Sequence, residues 1–228
     1  MIQRSSLIRM VEWTRQIVGE VLEPGDLAVD LTAGTGRDAL YLYQCVGVQG
    51  RVLAFDIQET ALRQSAERLA AAGAEVDLWS ASPPPGPVPY GIHLIHDSHD
   101  RLQLYLREAP RVVVANLGYL PGSDSAMITE AGTTLPALRQ ALALLAPAGR
   151  LVVTAYVGHA GGRAEAAQVD ELFRELPPKF WNVLRLEVAN RPAAPFLLVA
   201  EKHATAASPD TLPSPSSPSS PSSPSSPS

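Results

Sequence analysis

Three carboxylates frame a glycine turn near the start of the chain. The segment reads Asp30-Leu-Thr32-Ala-Gly34-Thr-Gly36-Arg37-Asp38, and Asp56 closes the next apolar run, Arg51-Val-Leu-Ala-Phe-Asp56. A glycine turn between a strand and a helix lets a ligand approach bare backbone N–H groups at the helix N-terminus. An acid about 20 residues further on is placed to grip a ribose diol. The chemistry of this stretch is therefore the binding of a nucleotide-like cofactor.

The glycines alone leave two ligands open, since Gly34-x-Gly36-x-x-Ala39 also fits the dinucleotide fingerprint of an NAD(P)-binding oxidoreductase. Asp30 tips the choice. A carboxylate just before the turn repels a pyrophosphate but suits an ammonium and a sulfonium, the groups of S-adenosylmethionine. The bland alternative is a βα turn with Asp30 and Asp38 as ordinary cap residues.

Further polar residues cluster where apolar runs end: His96-Asp97-Ser98-His99, Asn116-Leu-Gly-Tyr119, and Tyr156-Val-Gly-His159-Ala-Gly-Gly162. Open α/β sheets bind ligands at the carboxyl ends of their strands. Each cluster has a plain reading. Asp97 and Ser98 cap a helix, Asn116 and Tyr119 make a turn, and His159 sits in a solvated loop. Their convergence with the glycine turn is what points to a site.

The elements needed to position these residues follow from periodicity. After an opening helix, strands are expected near 27–32, 51–57, 92–97, 111–116, 150–157, 183–189 and 195–201. Helices are expected near 37–46, 59–72, 99–108, 133–146 and 164–176. This alternation predicts an α/β fold with a mainly parallel, seven-stranded sheet and helices on both faces. The last two strands are too close for a parallel crossover and should form an antiparallel hairpin. Residues 74–91 carry Pro83, Pro84, Pro85, Pro87 and Pro89 and read as an inserted surface loop.

Composition narrows the class. From about Thr205 the chain of 228 residues is mostly Ser and Pro, so 205–228 is expected to be a disordered tail and 1–204 one domain. Cys45 is the single cysteine, which excludes an internal disulfide and suits a reducing compartment, the cytoplasm. No stretch reads as a signal peptide or membrane span. No metal site is expected. The net charge of −5 argues mildly against extensive nucleic-acid contact, although a local basic face is compatible with it.

The combination of motifs resembles the small class I, Rossmann-like methyltransferases long labelled putative rRNA methylases, the YtqB-like or MnmM group. The matching pieces are Ala28-Val-Asp30-x-Thr32-x-Gly34-x-Gly36-x-Asp38, Ala54-Phe-Asp56-Ile-Gln58, Asp97-Ser98-His99 and Asn116-Leu-Gly-Tyr119-Leu-Pro-Gly122. They continue with Thr133-Thr134, Tyr156-x-Gly158-His159-x-Gly-Gly162 and Asn190-x-Pro192-x-x-Pro195-Phe196. The resemblance spans roughly residues 7–202. Arg37, Ser123 and Asp100 depart from the usual pattern, and the proline-rich insertion and tail look private to this chain.

The resemblance implies an S-adenosylmethionine-dependent methyltransferase. Its implied acceptor is the aminomethyl group of 5-aminomethyl-2-thiouridine at the wobble position of tRNA; rRNA or a small amine is the alternative. It implies cofactor contacts from Asp30, Thr32, Gly34, Gly36, Asp38, Asp56, Gln58, Asp97, Ser98 and His99. Asp30 would face the methionine ammonium, Asp56 the ribose and Asp97 the adenine amino group. Asn116 and the Leu117 carbonyl would aim the amine, Tyr119 would stack on the base, and His159 would accept a proton or contact a phosphate. Arg37, Tyr156, Arg163 and Arg191 would meet the anticodon stem-loop. The assembly is left open to a homodimer.

Overall fold

A computed structural model of the chain describes residues 9–118, 131–158, 161–191 and 194–205. Tyr119, His159 and most of the Ser/Pro tail, all singled out above, lie outside the described residues.

Helix α1 (Met10–Gly19) buries Met10, Thr14 and Val18, one residue per turn. Strand β1 (Leu27–Asp30) leads through the glycine turn into α2 (Arg37–Val46). Then come β2 (Arg51–Asp56), α3 (Glu59–Ala71), β3 (Val76–Ser80) and β4 (Gly91–His96). A 3-10 turn (His99–Arg101) runs into the short α4 (Leu102–Tyr105). The remainder is β5 (Val112–Leu117), α5 (Ala131–Leu144), β6 (Arg150–Ala155), α6 (Gly162–Arg174), β7 (Trp181–Leu186) and β8 (Phe196–Lys202).

The strands form one eight-stranded sheet in the order β3-β4-β2-β1-β5-β6-β8-β7. All neighbours pair in parallel except at β8, which runs antiparallel to both β6 and β7. β8 is thus inserted between two strands that precede it in the chain. The expected terminal hairpin is present. The core lies on both faces of the sheet. Helices α1, α2 and α3 cover one face through residues such as Val18, Leu42 and Leu62. Helices α4, α5 and α6 cover the other through Tyr105, Leu138 and Phe173.

Two expectations need correction. The sheet has eight strands, because Val76–Ser80 is not loop but an edge strand paired with β4 from Val76↔Ile92 to Ser80↔His96. The prolines fall after it and occupy the return path to β4. An edge strand needs partners along only one side, so a weakly apolar segment suffices. Trp79 secures it by stacking on the His93 ring at 4.3 Å between centroids. The second correction concerns the helix expected over 99–108. It ends at Tyr105, and Leu106 is already extended.

Candidate cofactor and acceptor site

The strand order reverses direction at β1. β2 lies on one side of it and β5 on the other, which opens a crevice at the carboxyl ends of β1 and β5. Register brings Asp30 level with Ala54 of β2 and Val114 of β5, and Asp56 level with His96. The predicted polar strand ends therefore meet along one edge.

The turn itself is built by glycine. Gly34 and Gly36 have φ of +50° and +73°, a region costly for other residues. A Cβ on Gly36 would sit 3.0 Å from Ser65 Cβ, so α3 packs directly against the turn. The Ser65 hydroxyl donates to the Gly34 carbonyl at 2.8 Å. Arg68 Nε donates to the Thr35 carbonyl at 2.7 Å.

Asp56 is held ready. Its Oδ2 accepts the Gly34 N–H and its Oδ1 the Gln58 N–H, each at 2.9 Å. Burial raises its pKa, and these two N–H bonds oppose the rise. Each carboxylate oxygen keeps a lone pair for a vicinal diol.

Asp30 is fully buried. Its Oδ1 accepts the Thr32 N–H at 3.0 Å, and its Oδ2 has no partner. Burial first, and then the charge of Asp38, push its pKa up to about 8. His99 supplies a second orphan. Its Nδ1 lies 3.1 Å from the Leu31 carbonyl. A carbonyl only accepts, so Nδ1 carries the proton and Nε2 is a bare acceptor. Nε2 is buried with no partner, and burial lowers the ring's pKa. Orphaned buried groups are rare in folded proteins. A ligand bearing an ammonium and ribose hydroxyls fits this pair, as S-adenosylmethionine does.

Asn116 ends β5. Its N–H donates to Thr32 Oγ1 at 2.8 Å, and its side-chain Nδ2 donates to Asp38 Oδ2 at 2.6 Å. Tyr156 borders the same place, its hydroxyl pushed up by burial and by the Asp38 charge. The Leu117 carbonyl accepts the Tyr156 N–H at 3.0 Å, so it already serves the β5–β6 ladder and is less available to an amine than its sequence position suggests.

Asp97 is tied inward. It accepts from the Ser98 N–H at 2.8 Å, from the Tyr105 hydroxyl at 2.7 Å and from Arg101 at 2.9 Å, and its side chain is 8% exposed. Arg37 and Arg163 are exposed in the first turns of α2 and α6. Arg191 is exposed between β7 and β8. The pairing Ala155↔Phe196 puts that turn at the same sheet edge as the crevice.

Sequence reasoning missed Glu165. It is 5% exposed in α6 and accepts the Thr134 hydroxyl at 2.6 Å. Its charge also reaches His99. An acid in a helix's first turn reads as an ordinary dipole partner, so only its burial marks it. Ser65 likewise looked like one more polar residue of α3.

Comparison with known proteins finds relatives in sequence and in fold. A 33% identical relative, a tRNA (mnm(5)s(2)U34)-methyltransferase, chloroplastic, of Arabidopsis thaliana, aligns over 186 residues. The alignment covers 78% of this chain and 64% of the relative, so the chain spans less than two thirds of that protein's length. A solved putative rRNA-methylase from Clostridium thermocellum superposes with a TM-score of 0.75 at 30% identity, covering 84% of this chain and 96% of that one. A putative methyltransferase from Streptococcus mutans, solved in complex with SAH, gives 0.72 at 29% identity over 89% and 99% of the two chains. The family model described as "Putative rRNA methylase" matches residues 52–202, more than half of the sequence, and the chain belongs to that family.

Proposed function

We propose that this S-adenosylmethionine-dependent methyltransferase acts on tRNA, methylating the aminomethyl group of 5-aminomethyl-2-thiouridine at the wobble position. One observation carries the reading. Asn116, an amide suited to orienting an amine, stands at the switch point beside the Asp56–Gly34 cradle. The printed activity of the Arabidopsis thaliana relative supports the choice of acceptor.

When bound, S-adenosylmethionine supplies an electrophilic methyl group on a sulfonium. The chain's own residues hold and aim the reactants. Asp56 accepts hydrogen bonds from the ribose hydroxyls, and Asp30 faces the ammonium. Asn116 Oδ1 accepts an N–H of the neutral amine and directs its lone pair, so that positioning provides most of the rate. The amine must shed a proton, and His159 is the candidate acceptor from its place in the sequence. Arg37, Arg163 and Arg191 rim the crevice and meet phosphates of the anticodon stem-loop. The single cysteine, Cys45, is free and suits action in the cytoplasm. Among the described residues no helix is long and apolar enough to cross a membrane.

The test is methyl transfer to tRNA carrying 5-aminomethyl-2-thiouridine, read by mass spectrometry of its nucleosides. Appearance of the methylaminomethyl nucleoside is the expected result. Transfer to free small amines with none to tRNA would overturn the reading.

A further inference from the structure

Asp38 closes the glycine-turn run that begins at Asp30, and one of its carboxylate oxygens is engaged by a side chain from β5. It lies in the first turn of α2 and its Oδ2 takes the Asn116 side-chain N–H at 2.6 Å. We infer that Asp38 is a positioning residue for the acceptor: by holding the Asn116 amide nitrogen, it fixes the flip of that amide and presents Oδ1 to the incoming amine. The inference rests on the acceptor reading above and deepens it.

A side-chain amide has two nearly isosteric ends, a donor and an acceptor. On a freely turning asparagine either end can face the substrate, and the donor end would oppose an amine's N–H. A carboxylate only accepts. Asp38 therefore selects one flip, and a charged acceptor makes the selecting bond stronger than a neutral one. The remaining contacts remove other freedoms. The Asn116 N–H is fixed on Thr32 Oγ1 at 2.8 Å, and its neighbour Leu117 is locked to Tyr156 through the backbone. Asn116 is half-buried, and among the described residues its Oδ1 has no partner. Asp30 feels the Asp38 charge, and the Tyr156 hydroxyl lies near it. Asp38 thus links the cofactor turn to the acceptor turn through one hydrogen bond between side chains 78 positions apart.

The closing experiment is a double-mutant cycle on the full chain with S-adenosylmethionine, using Asp38→Ala, Asn116→Ala and both together. Asp38→Ala should lower kcat about 30-fold, as lost positioning does, and leave the calorimetric Kd of the cofactor within about threefold. Added to Asn116→Ala, it should cost less than about twofold more. Asp38→Asn keeps an acceptor of similar size, folds with the least disturbance, and should retain an intermediate rate. A tenfold weaker cofactor Kd in Asp38→Ala, or losses that multiply in the double variant, would overturn the proposal. A second measurement needs no acceptor. The Asn116 side-chain amide in a nitrogen-15 NMR spectrum should shift in Asp38→Asn, and an unmoved signal also overturns it. Failure of the wild-type protein to methylate tRNA would instead strike the acceptor reading, leaving the NMR result to decide the role of Asp38.

Discussion

Asp56, at the end of β2, reaches across to accept the Gly34 N–H at 2.9 Å, so the residue placed to grip a ribose also holds the turn that precedes it. The proposed ribose contact and the local structure share one carboxylate. Asp56→Ala should therefore weaken S-adenosylmethionine by about 2–3 kcal/mol, from lost charge-assisted hydrogen bonds. It should also lower the melting temperature of the ligand-free protein. Calorimetric titration and a thermal melt measure the two effects, and unchanged affinity would remove Asp56 from the site.

Asp30 gives a pH dependence. In the unfolded chain it ionises near its ordinary value of 3.8, whereas in the fold burial holds it protonated up to about 8. Between those values the native state binds the extra proton. Stability of the ligand-free protein should accordingly fall as pH rises from about 4 to about 8, then level off. Asp30→Asn should flatten this fall in a series of thermal melts. An ammonium beside Asp30 would favour its ionised form. Cofactor binding near pH 6 should then release a proton, seen as a dependence of the calorimetric heat on buffer ionisation enthalpy. No such dependence would place the ammonium elsewhere.

Gly36 should tolerate nothing larger. Gly36→Ala combines a φ of +73° with a Cβ 3.0 Å from Ser65 Cβ. The strain alone costs on the order of 1–2 kcal/mol, and displacing α3 also disturbs the Ser65–Gly34 bond. The melting temperature should drop by several degrees and cofactor affinity should weaken. Ser65→Gly in the same background should not restore either, since the Ser65 Cα stays 3.1 Å from the new Cβ and the bond to Gly34 is lost.

The rim arginines predict a salt effect. A few phosphate contacts on single-stranded RNA give a slope of log affinity against log salt of about −0.7 per contact, so roughly −2 to −3. Arg163→Ala and Arg191→Ala should each make the slope shallower and weaken tRNA binding, with cofactor affinity unchanged. Binding of tRNA that ignores salt would exclude these residues as phosphate contacts.

The parts of the fold that were legible in the sequence are those with strong local signals. β1, β2 and β5 are short, mostly apolar runs with a polar residue at or next to the end, and buried parallel strands read that way. Gly34 and Gly36 announce their turn because few other residues adopt it. Strand β3 was hidden because its stability comes from Trp79 on His93 and from pairing with β4, neither visible locally. Proline density nearby pointed the other way. The places of Asp30 and Asp56 at the ends of β1 and β2 were legible from the same apolar runs. The bond between Asp38 and Asn116 was not, because no spacing rule connects a residue in the first turn of α2 with one near the end of β5. Glu165 was invisible for the same reason: burial is a property of the assembled fold.

The place of β8 has a consequence for the order in which this protein is completed. Among the described residues β7 pairs with β8 alone, and β8 also seals the exposed side of β6. A growing chain that has emerged only as far as β7 therefore carries a sheet edge at β6 and a strand with nothing to join. The arrival of Phe196–Lys202 closes both gaps at once. Among the described residues the last strand made is thus an interior one, and the sheet waits for it.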